Sequence, residues 1–211
     1  MTALTTLLAL ADSRLPAGGH VHSGGVEEAV SSGVVTDLET LHAYLVRRVR
    51  TQGLVAASIA AAVHAGSLTV AVADCETDAR TPAPAARAAS RAQGRGLARL
   101  ARRVWPDHDW TTLGRMPHLA VASGAVGAAA GLTPGQTALS VVYTTMTGSA
   151  TAGQRLLALD PGEVAALTFV LGALCDDVAA AAAKEPADLS DPLLDVLAQR
   201  HSYRERPLFA S

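Results

Sequence analysis

Apolar positions recur at three- and four-residue intervals through most of the chain, and no stretch alternates as a half-buried strand does. The pattern predicts an all-α protein, a single layered domain of about ten helices over residues 1–211 with a flexible tail at 201–211. Residues 4–11 form a short apolar helix, and residues 23–32 a second one that Gly33 ends at the C′ position. Thr36 and Glu39 have the spacing of a capping box, after which Leu38, Leu41, Leu45, Val49 and Leu54 keep a helical period up to Gly66, with Gly53 as a bend. Ser67 is the expected cap of a helix towards Arg80. Thr81-Pro82 and Pro84 break the chain before a long helix over 85–104, which Trp105-Pro106 ends.

Residues 107–117 are polar and irregular and predict a long loop. A small-residue helix follows over 118–131, where Gly127 and Gly131 would admit a close neighbour. Thr133-Pro134 opens another helix that Gly148 and Gly153 are expected to interrupt. Asp160-Pro161-Gly162-Glu163 starts one running to about Lys184, and Asp191-Pro192 starts the last.

Between the first two helices lies the stretch with the most specific backbone chemistry. Leu15-Pro16 precedes Gly18-Gly19, so a residue of fixed φ is followed by two that tolerate positive φ. That combination dictates a defined bend. Ser23 can accept a hydrogen bond from an orphan N–H of the next helix, and Glu27 and Glu28 suit its dipole. His20 and His22 stand at the exit of the bend.

Composition narrows the function classes. Hydrophobic residues make up 49% of the 211 and aromatics only 3%, which predicts tight helix contacts through small side chains. The net charge of -2 gives no global attraction for nucleic acid. Cys75 and Cys175 form no C-x-x-C pair, so neither zinc nor a disulfide framework is indicated. The N-terminal apolar run lacks a basic flank, and no apolar run reaches membrane-spanning length, so a cytoplasmic protein without a membrane partner is expected.

No enzyme motif is present. There is no phosphate-binding G-x-x-x-x-G-K-[ST], and Val21 stands where a nucleophile elbow needs glycine. Three features remain open between a functional and a plain structural role. His20 and His22, two apart, project to one side of an extended segment and suit nickel, copper or zinc; they are equally loop or packing residues. Arg87, Arg91, Arg95, Arg99 and Arg103, with Arg102, form a helical stripe for phosphates or an acidic partner, or simply a solvated face. Tyr203, Arg204, Leu208, Phe209 and Ser211 lie in a polar tail that orders on a partner or frays. On these residues alone, a helical protein binding nucleic acid through the stripe or metal through the histidines stays in play beside an interaction protein.

The order Leu15, Pro16, Gly18, Gly19, Ser23, Gly25, Glu27 resembles the N-terminal signature of the UreF family of urease accessory proteins, with His20 where that family usually has an aromatic residue. Arg87, Ser90, Gln93, Gly94 and Leu97 are similar to the family's R-x-x-S-x-x-x-G-x-x-L helix, Pro117-His118 to its next H-x-P helix, and Arg155-Leu156 to its R-L pair. Tyr203, Arg204, Leu208, Phe209 and Ser211 resemble its closing Y-x-R-L-F-x-S. The resemblance implies a non-enzymatic homodimer that scaffolds UreD/UreH and the GTPase UreG and delivers nickel to apo-urease. Nickel would be held in transit only, and GTP would belong to UreG. It also implies partner contacts through Leu15, Pro16, Gly18, Gly19, His20, Ser23 and Glu27 on the bend side, a central helix carrying Arg155, and UreD/UreH contacts through Tyr203, Arg204, Leu208, Phe209 and Ser211.

Overall fold

The stretch Leu54–His64 is apolar on every side, which is the mark of a helix buried all round. It is the middle of the molecule. The computed structural model describes residues 2–12, 15 and 22–209. Along these residues run α1 Ala3–Ala11, α2 Val26–Ser31, α3 Leu38–Arg48, α4 Leu54–His64, α5 Val70–Ala79, α6 Pro84–Val104, α7 Leu119–Ala129, α8 Pro134–Leu157, α9 Pro161–Val170, α10 Gly172–Ala182 and α11 Pro192–His201. The described residues contain no strand, and the fold is one all-α domain, as the periodicity requires.

Helix α4 separates two apolar clusters. Its Ile59 joins Leu97, Ala98 and Ala101 of α6 and Val121 and Val126 of α7. Its Ala57, Ala60 and Ala61 join Leu41 and Leu45 of α3, Val142 and Met146 of α8, and Val178 and Ala182 of α10. Small side chains set the spacing. An alanine Cβ at Gly124 would lie 2.5 Å from the Ala60 carbonyl oxygen, and one at Gly127 would lie 2.1 Å from Thr137 Oγ1. The close approach therefore occurs at Gly124 and Gly127; Gly131 meets no neighbour and instead ends the helix at φ +70°.

Cap chemistry placed several helix starts where the sequence put them. Thr133 and Gln136 form a reciprocal capping box with Pro134 in the first turn, and Asp160 accepts the Glu163 N–H. Elsewhere the local cue named the wrong residue. Asp37 and Thr40, one position on from Thr36 and Glu39, make the capping box of α3, and Thr69 caps α5 in place of Ser67. Gly53 closes a π-helical turn, Val49–Gly53, between α3 and α4.

Two interruptions differ from expectation. Helix α8 continues through Gly148 and Gly153 without a break, because Gly153 is the seat of Leu41 Cδ1, which a Cβ would meet at 2.6 Å. The helix expected to run from Pro161 to Lys184 is bent by 42° between α9 and α10, at Leu171. No single described helix is long and apolar enough to cross a membrane; that bent pair passes such a test only jointly.

Helix α11, which carries the tail, is tied to α3 by a forked ion pair. Arg47 Nε and Nη2 donate to the two oxygens of Asp191 at 2.5 and 2.9 Å, and the same buried carboxylate accepts the Leu193 N–H at the helix start.

Candidate partner-docking face

The bend leads into α2 through Gly24 and Gly25, both at positive φ. Tyr44 Oη and Arg48 Nη1, on α3, both donate to the Gly24 carbonyl, at 2.8 and 2.7 Å. A Cβ on Gly24 would strike the Arg48 guanidinium at 2.5 Å, so the loop lies flat on α3. Ser23 is fully buried, and its hydroxyl accepts the Glu27 N–H at 3.4 Å, although the residue at the cap position itself is Gly25.

Glu27 is the hub that follows. It is only 2% exposed, yet ionised groups are seldom buried without partners. Its partners come from the far end of the chain. His201 Nε2 donates to Oε2 at 2.7 Å, the Leu208 N–H to Oε1 at 2.8 Å and the Phe209 N–H to Oε2 at 3.0 Å. Arg204 brings its charge to Glu27 at 3.7 Å and to Glu28 at 3.1 Å. Burial alone would raise the Glu27 carboxyl; the Leu208 N–H, the His201 ring and the Phe209 N–H outweigh it and hold it below the ordinary 4.5.

The described part of the tail is thus anchored to the body. Phe209 is buried in the larger cluster, and the Arg155 guanidinium of α8 lies over its ring, 5.4 Å from the centroid. Leu208 and Tyr203 point the other way, 79% and 76% exposed. Residues far apart in sequence, Ser23, Glu27, Arg155, Arg204, Leu208 and Phe209, therefore meet on one face. Leu15 is half-buried against the smaller cluster. Pro16, Gly18, Gly19, His20 and Ser211 lie outside the described residues, and with His20 so does the histidine pair. His22 is half-buried and already partnered; it lines a cavity of about 370 Å³ that also reaches Arg48, Asp191, Arg155 and Phe209.

A second polar cluster was missed by the sequence reading. Asp74 and Asp78 sit on one face of α5, four residues apart. Arg91 bridges them at 2.8 and 2.7 Å. His118 is fully buried; its Nε2 lies 2.8 Å from Asp78 and its Nδ1 3.0 Å from Ser90 Oγ, which in turn accepts the Leu119 N–H. The bonds are all satisfied by a neutral ring donating to Asp78 and accepting from Ser90. The three ligand atoms of Asp74, Asp78 and His118 are close enough for a metal ion, but Arg91 already supplies the cation. Two signals pointed here: the R-x-x-S-x-x-x-G pattern, whose serine bonds His118 and whose glycine lets α6 touch the same backbone, and the Pro117-His118 pair itself.

Burial lowers the His118 ring below 6.5, so the unfolded chain binds a proton there that the folded chain refuses. Its stabilisation is present above about pH 6.5 and is lost as pH falls through the folded value. Glu27 and Asp78, both held low, add losses further down, below their ordinary 4.5 and 3.8. The melting temperature should be level from pH 8 to about 7 and decline in two stages below that. A melting temperature unchanged down to pH 5 would contradict the neutral buried ring.

A family model, UreF, matches residues 35–172, more than half of the chain. Over its whole length the chain is 90% identical to a protein of Mycobacterium sp. (strain JLS), 75% to one of Mycolicibacterium vanbaalenii and 67% to one of Mycobacterium tuberculosis, each matched over its full length and each named urease accessory protein UreF. The chain therefore falls among accessory proteins and is not an enzyme. More narrowly, it belongs to the UreF family, as the motifs from Leu15 to Phe209 implied.

Proposed function

We propose that this chain acts in urease maturation as a cytoplasmic scaffold. The face built on Glu27 and the anchored tail takes UreD/UreH, with Tyr203 and Leu208 as the side chains offered. The bend side, in a homodimer, takes UreG. Nickel passes to apo-urease as cargo held only in transit, and GTP stays on UreG. One observation carries this reading: Ser23 and Glu27 of the N-terminal signature, the α8 arginine, and Arg204, Leu208 and Phe209 of the closing motif converge on one surface, and among the described residues no buried carboxylate or histidine there is left to do chemistry. Glu27 and His201 are spent on holding the tail.

Deleting residues 203–211 tests it. Co-purification with UreD/UreH should be lost while the far-ultraviolet circular dichroism stays helical, since every helix ends at or before His201. Retained co-purification would refute the tail assignment. A collapse of helicity would show that Phe209 is needed for folding, and a Tyr203→Ala, Leu208→Ala variant, altering only exposed side chains, then decides.

A further inference from the structure

The arginine repeat of α6 divides into two halves. Arg87 and Arg91 face α5, where Asp74 and Asp78 neutralise them at 2.7 to 3.8 Å. From Arg95 onward the helix carries no acid. Arg95, Arg99, Arg102 and Arg103 are exposed, and none forms an ion pair among the described residues. On a regular helix these four fall within about 100° of arc and about 12 Å of length. Arg102 Nη2 donates to the Gly114 carbonyl at 2.8 Å. That bond brings the loop's Arg115, also exposed and unpaired, to the rim of the same hollow, with His108 and Thr111. Asp109 shares the hollow, but its carboxylate is turned to the Thr111 N–H at 2.9 Å, and Asp107 makes no ion pair. Val104 and Met116, each 49% exposed, follow Arg103 and Arg115 in the chain and stand at the edge of the patch.

We propose that this face, Arg95, Arg99, Arg102, Arg103 and Arg115 with Val104 and Met116 at its edge, docks an acidic segment of a protein that carries apolar side chains beside its carboxylates. Guanidinium forks match carboxylates two bonds at a time. Arginine and methionine are enriched at protein interfaces, and the exposed apolar side chains at the edge of the patch give such a segment something to bury. A nucleic acid fits less well. Trp110 is buried with its N–H bonded to the Trp105 carbonyl, and Trp105 is half-buried, so neither indole offers a base an open stacking surface. This surface is separate from the tail face and stands without the scaffold proposal.

The test uses the full chain, a labelled peptide of paired glutamates interrupted by leucines, and a labelled DNA duplex. Anisotropy should show the peptide binding, weakening as salt rises and tighter than the duplex. Reversing the patch (Arg95→Glu, Arg99→Glu, Arg102→Glu, Arg103→Glu) should weaken peptide binding about tenfold or more, while Arg50→Glu, outside the patch, leaves it unchanged. Should the reversed protein lose helicity, the Arg99→Gln, Arg103→Gln variant, which breaks no bond, should still weaken binding about threefold. Equal binding by parent and patch variants, no binding of the peptide, or a duplex bound more tightly than the peptide would each overturn the inference.

Discussion

Replacing Gly94 with alanine is expected to cost about 3 kcal/mol of stability and to lower the melting temperature by about 6–12 °C. The added Cβ would stand 2.1 Å from the Pro117 carbonyl oxygen and 2.7 Å from the His118 carbonyl carbon. Both are backbone atoms, and His118 is pinned by Asp74, Asp78 and Ser90, so neither can step aside. Alanine gains about 1 kcal/mol of helix propensity over glycine, which softens the loss without cancelling it. Gly148 supplies the opposite case. It also lies inside a long helix, but a Cβ there meets nothing within 4 Å. Gly148→Ala should therefore raise stability by about 0.5–1 kcal/mol. Thermal unfolding of the two variants beside the parent separates contact from propensity. A Gly94→Ala protein as stable as the parent would mean that α6 and the start of α7 are not in contact as described.

That pair also shows what the sequence could and could not disclose. Thr133-Pro134, Asp160-Pro161 and Asp191-Pro192 mark helix starts because capping is settled within four residues, and all three were legible. Gly148 and Gly153 read alike as interruptions, yet a glycine inside a helix is decided by what packs on it. Leu41, more than a hundred residues away, makes Gly153 a socket. The break at Leu171 has Gly172 beside it but no capping residue or proline, and a lone glycine had already misled at Gly148 and Gly153. The candidate face was legible as letters and not as geometry. Ser23, Glu27, Arg155 and Phe209 all stood out, but nothing local says that a carboxylate at 27 accepts the N–H groups of 208 and 209. Asp74 and Asp78 were missed because each looked like an ordinary acid on a solvated helix. Only His118, brought in from forty residues on, makes them a cluster.

Glu27→Ala should release the tail. Three hydrogen-bond donors converge on this carboxylate, and a buried hydrogen bond to a charged group is worth about 1.5–3 kcal/mol. The full sum is not lost, because the tail can swing into water and solvate its own N–H groups. The cost is then bounded by what docking contributes, about 3 kcal/mol with the Phe209 ring included. Exchange of the Leu208 and Phe209 amide hydrogens should approach that of an open chain. Trypsin should cut faster after Arg204, the last arginine of the tail not followed by proline. The same variant decides how the tail serves a partner. Docked, it buries Phe209 and presents Tyr203 and Leu208 outward, so the anchored form is the one with side chains ready to be gripped. Ordering the tail beforehand spares a partner the entropy of fixing it. Co-purification with UreD/UreH should accordingly fall about tenfold in Glu27→Ala and less in Glu27→Gln, whose amide oxygen still serves one N–H. Binding that rises when the tail is freed would mean the reverse: that the body holds the tail in store and the partner must pull it away.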